Sequence, residues 1–510
     1  MRLSEIVGFL GILFPLEAFT YSTGEDDMKT SKIIFFMVGM FMFLLLTSCS
    51  REEPAQTPQA KNIGKPEAAV VELTDAQIED IVRRSYQYVA MYNVNQKLAL
   101  EEEGMTTRGY NKGLKNTDLL DHTAEFIARP NNDSIYQLAM LDLRKDAVVF
   151  EFPAFDSKYV SLMTSGYDHY VEIPLSTVEG NFHKPTTVLF YTARTEGYHG
   201  EKVEGIDEIF EMTGDFVSAT LRVMPHANEP ERFKRIVDQI NSIKGMTLSE
   251  FLGKPAPEAD KVNFPPYGKT DADIFENNLL EVMQFVFNHT TFDPNNDLDR
   301  KVLAVYAPLG VVPGKEYDSE NVAKIDGKKF REISIKVRDE QIAIMNDLKR
   351  MAPFMTLIFQ PKGTIGLEAM LFPSVVGPIG QPAKEAMYPS IITEDGAPMN
   401  AQYDYVIRMT KDELPPANAF WSFTLYDAVN GFFIPNEHKK YSVGENGGMK
   451  LNDEGGIEIY IAAEKPDGVP AENWLPIERK DLDMNMTLRI YAPDLEKMKT
   501  WQAPKAEIVK

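Results

Sequence analysis

The chain has 510 residues, 44% hydrophobic and 25% charged, with 32 Gly and 32 Pro, a balance of folded globular protein that excludes fibrous and wholly disordered classes. That length exceeds what one ordinary core organises, so two or three domains are expected. The formal net charge of -23 sets the surface as a whole against nucleic-acid phosphates and anionic membrane faces, and the single cysteine excludes an intramolecular disulfide framework or a cysteine-built zinc site.

Met28 begins a short basic segment, "MKTSK", followed by the apolar run 33–46 and then "TSC". That order predicts a signal peptide over 28–48 and makes 1–27 a misassigned start. The apolar run is shorter than the about 20 residues a membrane span needs. Leu46-Thr47-Ser48-Cys49 resembles the bacterial lipobox, so Cys49 is read as the lipidated first residue of the mature protein. Each buried acyl methylene contributes about 0.8 kcal/mol, and two chains anchor stably where one does not. The expected location is therefore the bacterial cell envelope, on an outer-membrane, periplasmic or surface face, with the membrane held as a partner through the lipid. Residues 49–72 are rich in Pro and charge without hydrophobic period and read as a disordered tether.

A helix is expected from Thr74, where Thr74 and Gln77 form a capping-box pair and Ile78, Ile81, Val82, Val89 and Tyr92 fall near one face. "AVVFEFPAF", "YVSLMTSGY", "HYVEIPL", "TTVLFYTA" and "FVSATLRVMP" then read as strands, β-branched and aromatic, between turn residues. Together these make an N-terminal β domain over 73–228. Helical patterns from Glu229, in "EPERFKRIVDQINSIKG", "DADIFENNLLEVMQFVFNH" and "VAKIDGKKFREISIKVRDEQIAIMNDLKRM", predict a helical middle region over 229–364. Strands resume over 365–510 with "QYDYVIRM", "AFWSFTLYD", "GFFIPN", "IEIYIAAE" and "MTLRIYAP". The fold class expected is mainly β with an α-helical middle, as two antiparallel β-sandwich or jelly-roll-like domains.

No Walker loop, GxSxG elbow, HExxH or strand-borne GxGxxG occurs, no cofactor is evident, and the lone cysteine is committed to the lipobox. The histidines at 122, 169, 183, 199, 226, 289 and 438 contain no i, i+4 pair, so surface or core roles are preferred over a metal site. "DPNNDLDR" alternates Asp293, Asn295, Asp297 and Asp299 as calcium loops do, but Leu298 replaces the turn glycine and Ala304 the closing Glu. A helix N-cap cluster is the better account.

The most informative stretch is "EFIARPNNDSIYQLAMLDL". Arg129, Asn131, Asn132, Asp133 and Tyr136 crowd polar groups into a turn entering an apolar segment. They fit either a ligand site, with Arg holding a carboxylate or phosphate and Asp and Tyr doing acid–base work, or a loop pinned to a sheet. In "NAFWSFTLYDAVNGFFIPNEHKKYSVG", Trp421, Tyr426, Asp427, Asn436 and Tyr441 fit either an aromatic sugar-stacking platform or core.

"RPNNDSIYQLAMLDLRKDAVVFEFP" with "YVSLMTSGYDHYV" resembles the domain of unknown function 1254, and "LPPANAFWSFTLYDAVNGFFIPNEHKKYSVG" with "NWLP" and "MTLRIYAP" resembles its companion 1214. The resemblance implies two β-sandwich or jelly-roll domains with helices between; the family has no settled activity, so it carries no catalytic residue over to this chain. Arg129, Asn131, Asp133 and Tyr136 match the first motif, and Trp421, Asp427, Asn436 and Tyr441 the second. The expected function is binding of a polar small molecule, phosphorylated compound or glycan in an inter-domain cleft. The rivals are a hydrolase or lyase using Asp133 or Asp427 with Tyr or Arg, and a structural or assembly lipoprotein; oligomeric state is left open.

Overall fold

The helix expected at Thr74 runs Asp75–Leu100, with Gln77 N donating to Thr74 Oγ1 and Thr74 N to Gln77 Oε1 in a reciprocal capping box. The computed structural model describes residues 71–509 apart from 103, 125–128 and 346. The signal peptide, Cys49 and all but the last residues of the tether lie outside the described residues. Ile78, Ile81, Val82, Val89 and Tyr92 are buried as their spacing requires, against the helices Leu279–Asn288, Asp297–Tyr306, Gly327–Met345 and Leu367–Val376. Among the described residues no helix is long and apolar enough to cross a membrane.

The N-terminal strands form two sheets. One orders Lys112–Lys115, Ile135–Asp142, Phe216–Val223, Val160–Ser165 and Val171–Ser176, all antiparallel. The other orders Glu208–Met212, Thr186–Thr192, Val148–Phe152 and Lys244–Thr247. Val217, Ala219, Leu221 and Val223 alternate inward from the first sheet onto Val148, Phe152, Val188 and Phe190 of the second, with Ile236 and Ile240 of the helix Pro230–Ser242 closing the core. The strand Phe216–Val223 is buried along its whole length, so its other face, carrying Ser218, Thr220 and Arg222, is also covered.

The C-terminal domain repeats the plan. Its larger sheet lays Ala386–Met387, Ser390–Ile391 and Met399–Asn400 along one edge of Asp483–Pro493, followed by Ala417–Asp427 and Ser442–Gly444. Its smaller sheet orders Trp474–Pro476, Ile457–Ala462, Tyr405–Met409 and Ala506–Ile508. Trp421, Phe423, Leu425, Met486, Leu488 and Ile490 point between the sheets onto Ile457, Ile459 and Ile461. Period-two alternation therefore sends Ser422, Thr424, Tyr426, Arg489 and Tyr491 to the opposite face.

The expected mainly β fold, with antiparallel sheets in two domains and a helical middle, is present. Within it two pairings are parallel, Thr186–Thr192 with Glu208–Met212 and Ile457–Ala462 with Trp474–Pro476. Finer expectations need correction. "GFFIPN" builds no strand among the described residues. Gly431 has φ 73° and only an isolated bridge joins Phe433 to Tyr426, because the segment returns immediately on itself. The helix over 271–289 breaks at Asn278, whose φ of -152° is not helical and whose side chain donates to Pro266 O. Helical structure continues to Val376, past 364, while the helix Pro230–Ser242 packs with the N-terminal sandwich. The acidic loop ends as an N-cap: Asn296 Oδ1 accepts from Leu298 N and Asp299 N.

Candidate functional site

The polar outer faces of the two larger sheets meet in a seam, and the turn Arg129–Asp133 docks into it. Arg129 N donates to Gly431 O at 2.7 Å, Tyr426 Oη donates to Pro130 O at 2.6 Å, and Arg489 Nη2 donates to Arg129 O at 3.1 Å. Asn131 Nδ2 donates to Tyr491 Oη at 2.7 Å and Tyr136 Oη at 3.0 Å, while its Oδ1 accepts from Asp133 N. The Asp133 carboxylate accepts from the Ser422 hydroxyl, with Ser442 beside it. Asp133 is 1% exposed. Burial pushes its carboxyl above the usual range, partly offset by the charge of Arg489 and the serine hydroxyls. Burial also lowers the pKa of Arg129. The RPNND turn thus contributes side chains and backbone to the domain junction.

Two buried arginines flank this turn. Arg489 donates to Thr424 Oγ1 at 2.8 Å and Tyr426 Oη at 2.6 Å. Burial alone favours its neutral form, but the phenols of Tyr426 and Tyr491 and the Asp133 carboxylate outweigh it and hold Arg489 charged. Arg222, 5% exposed, pairs across strands with Tyr136 on one side and Ser161 on the other. Its guanidinium lies 5.4 Å from the Tyr136 ring centroid, with the Tyr136 hydroxyl beside it, and among the described residues its charged surroundings include no carboxylate. Its Nη1 has no hydrogen-bond partner there. The phenol of Tyr388, which feels the charges of both Arg222 and Arg489, is pushed up to about 12, first by burial. Tyr136 and Tyr388 are only partly buried. Next to them, Tyr159 Oη and Ser176 Oγ donate to the Glu385 carboxylate at 3.0 and 2.8 Å, and a cavity of about 10 Å³, about one water, is lined by Ser161, Gln381 and Glu385.

The remaining candidates have local work. Trp421, Tyr426 and Tyr441 are 4%, 0% and 3% exposed, so the reading of an open sugar-stacking platform is corrected. Trp421 sits inside the C-terminal sandwich, Tyr426 faces the seam, and Tyr441 stacks on Phe433 with its hydroxyl 2.7 Å from His122 Nδ1. Asp427 closes a turn by accepting from Val429 N, Asn430 N and Phe432 N, and Asn436 bonds both Lys440 N and Lys440 O. His169 is pushed down to about 4 by burial, its ring nitrogens on Ser374 Oγ and Pro378 O. Among the described residues no group of three or more His, Cys, Asp or Glu side chains is set to hold a metal ion. A groove of about 350 Å³ in the helical layer, lined by Tyr267, Asp273, Asn277, Asn278 and Glu281, is acidic.

Sequence reading found the turn but missed its partners. A signal existed: "TLRV" and "TLRI" each place an arginine inside an otherwise apolar strand, at Arg222 and Arg489. A charge there must be neutralised by another element or remain open to a ligand.

No curated protein matches the chain. The crystal structure of the VPA0106 protein from Vibrio parahaemolyticus superposes with a TM-score of 0.66 at 23% identity, covering 86% of this chain and 100% of that one, and shows a shared fold. A putative uncharacterized protein from Burkholderia cenocepacia matches at TM-score 0.38 and 12% identity, over 85% of this chain and 96% of that one. Two family models of proteins of unknown function match along the chain, DUF1254 over residues 111–244 and DUF1214 over 385–495, one on each side of the helical layer and each contributing one arginine to the seam. The protein is therefore one that carries a DUF1254 domain followed by a DUF1214 domain.

Proposed function

We propose that this is a lipid-anchored bacterial envelope protein that binds a small anionic molecule, a phosphate monoester or a carboxylate, at the Arg222 end of the seam between its two domains. The observation that carries the reading is Arg222 itself: a nearly fully buried guanidinium with an unpartnered Nη1 and phenols for neighbours. A buried cation without a counter-charge is costly, and a bound anion supplies that charge together with charge-assisted hydrogen bonds. Tyr136 and Tyr388, both only partly buried, are the side chains on the solvent side of this guanidinium. Asp133 and Asp427 are already bonded within the fold, which favours binding over carboxylate-driven hydrolysis or elimination. The anchor rests on Leu46–Cys49 and places the binding domains beyond the tether, outside the cytoplasm.

The test is a thermal-shift screen of the purified protein against inorganic phosphate, sugar phosphates, dicarboxylates and neutral sugars. Anions should raise the melting temperature by mass action, neutral sugars should not, and Arg222→Met should melt near wild type while losing the response. A wild type indifferent to every anion sinks the binding reading. Acyl-chain labelling that survives Cys49→Ala sinks the anchor.

A further inference from the structure

A second buried polar cluster lies between the N-terminal sheet and the helical layer, and its charge has the opposite sign. Asp168 sits in the turn between the strands Val160–Ser165 and Val171–Ser176, and Asp299 in the first turn of the helix Asp297–Tyr306; both are 0% exposed. One cation serves both. Lys362 Nζ lies 3.2 Å from Asp168 Oδ2 and 2.9 Å from Asp299 Oδ2, and donates to Thr291 O at 2.9 Å. The cluster therefore carries two carboxylates against one ammonium.

Its oxygens are also under-used. Asp168 Oδ1, Asp299 Oδ1, and the hydroxyls of Tyr88 and Tyr170 are all buried without a hydrogen-bond partner among the described residues. Tyr88 and Tyr170 are each 1% exposed. Lys362 Nζ lies 5.0 Å from the Tyr170 ring centroid and 5.9 Å from that of Phe292, on which Tyr88 packs at 6.2 Å, so both rings border the lysine that joins the carboxylates. Burial and then the charge of Asp299 raise both phenols, with Gln87 and Asn296 beside the Tyr170 hydroxyl. These carboxylate and phenol oxygens beside an excess negative charge are a donor set without nitrogen or sulfur, the kind preferred by hard cations. The phenols are neutral at physiological pH, so with both carboxylates ionised the excess is a single negative charge; burial and Asp168 raise the Asp299 carboxyl, and the Lys362 ammonium works against that rise. A divalent ion would reverse that imbalance, whereas a monovalent one cancels it.

We propose that Asp168, Asp299, Tyr88 and Tyr170 form a buried site for one monovalent alkali cation, with Lys362 as the fixed second cation that splits the two carboxylates. Such an ion would fasten the N-terminal helix Asp75–Leu100, the Asp168 turn and the helix Asp297–Tyr306 to one another.

The experiment measures melting temperature of the full chain in lithium, sodium, potassium and choline chlorides at equal ionic strength, at pH 6 and pH 8. Sodium or potassium should give a saturable rise over choline, with lithium weaker. Tyr88→Phe, which keeps the ring and deletes one donor oxygen, should weaken the apparent cation affinity several-fold, and Asp299→Asn should abolish the response. Equal melting temperatures in all four salts overturn the proposal, above all if melting falls from pH 6 to pH 8, since a proton shared by the carboxylates then cancels the charge. A cation response unchanged in both variants overturns it as well, because the ion then binds elsewhere.

Discussion

Thr220-Leu221-Arg222-Val223 and Thr487-Leu488-Arg489-Ile490 are nearly the same tetrapeptide on the central strands of two different domains, yet the two arginines have different surroundings. In both, the leucine and the β-branched residue face their own sandwich, and the arginine faces the neighbouring domain. Arg489 meets Thr424, Tyr426, the carbonyl of Arg129 and the charge of Asp133. Arg222 meets aromatic rings and retains an unpartnered nitrogen. The same local sequence thus serves as a clamp in one domain and leaves an incompletely bonded guanidinium in the other, and the difference lies in what the opposing element supplies.

Three variants sharpen or break that contrast. Arg489→Met should be the most damaging, by about 3–5 kcal/mol in urea unfolding, since it leaves Asp133 without its nearest positive charge and strands the acceptors that Arg489 satisfied. A loss no larger than that of an exposed arginine would refute the clamp.

Asp133 gives the next effect, and its sign depends on pH. Its folded carboxyl is held above the unfolded value, so its contribution to stability is fully present below the unfolded pKa and is lost as pH rises through the folded pKa. Asp133→Asn imitates the protonated form and should be insensitive there. Unfolding free energies of variant and wild type, measured from pH 3 to pH 8, should shift in favour of the variant with rising pH. A difference independent of pH would mean that Asp133 ionises as freely in the fold as outside it.

Arg222→Met should have the smallest effect on stability, within about 1 kcal/mol of wild type or in the stabilising direction, because a buried charge without a counter-charge is replaced by an apolar chain of similar reach. A loss as large as that of Arg489→Met would show that the two arginines do the same work.

Much of this architecture was legible. Thr74 and Gln77 announce the first helix because a capping box needs only residues three apart, and period-two strands announce the sheets because alternation is a local property. The Asn278 break, the two parallel pairings and the failure of "GFFIPN" to form a strand were not legible, since each depends on where a distant segment lies. The candidate site divided in the same way. Asn131, Asp133 and Tyr136 were recognisable as a polar turn needing partners, but those partners, Ser422, Arg489 and Tyr491, lie nearly 300 residues or more away.

By itself, then, the sequence determined most of the elements, the order of the two β regions and the polar turn that needed partners, because propensity, periodicity and capping act over a few residues. Only the tertiary structure decided which of those needs were met inside the fold. Asp133 met a serine, Arg489 a set of hydroxyls and a carbonyl, and Arg222 an incomplete set. Burial magnifies both a satisfied and an unsatisfied polar group, and which of the two a residue becomes is set by the segment packed against it.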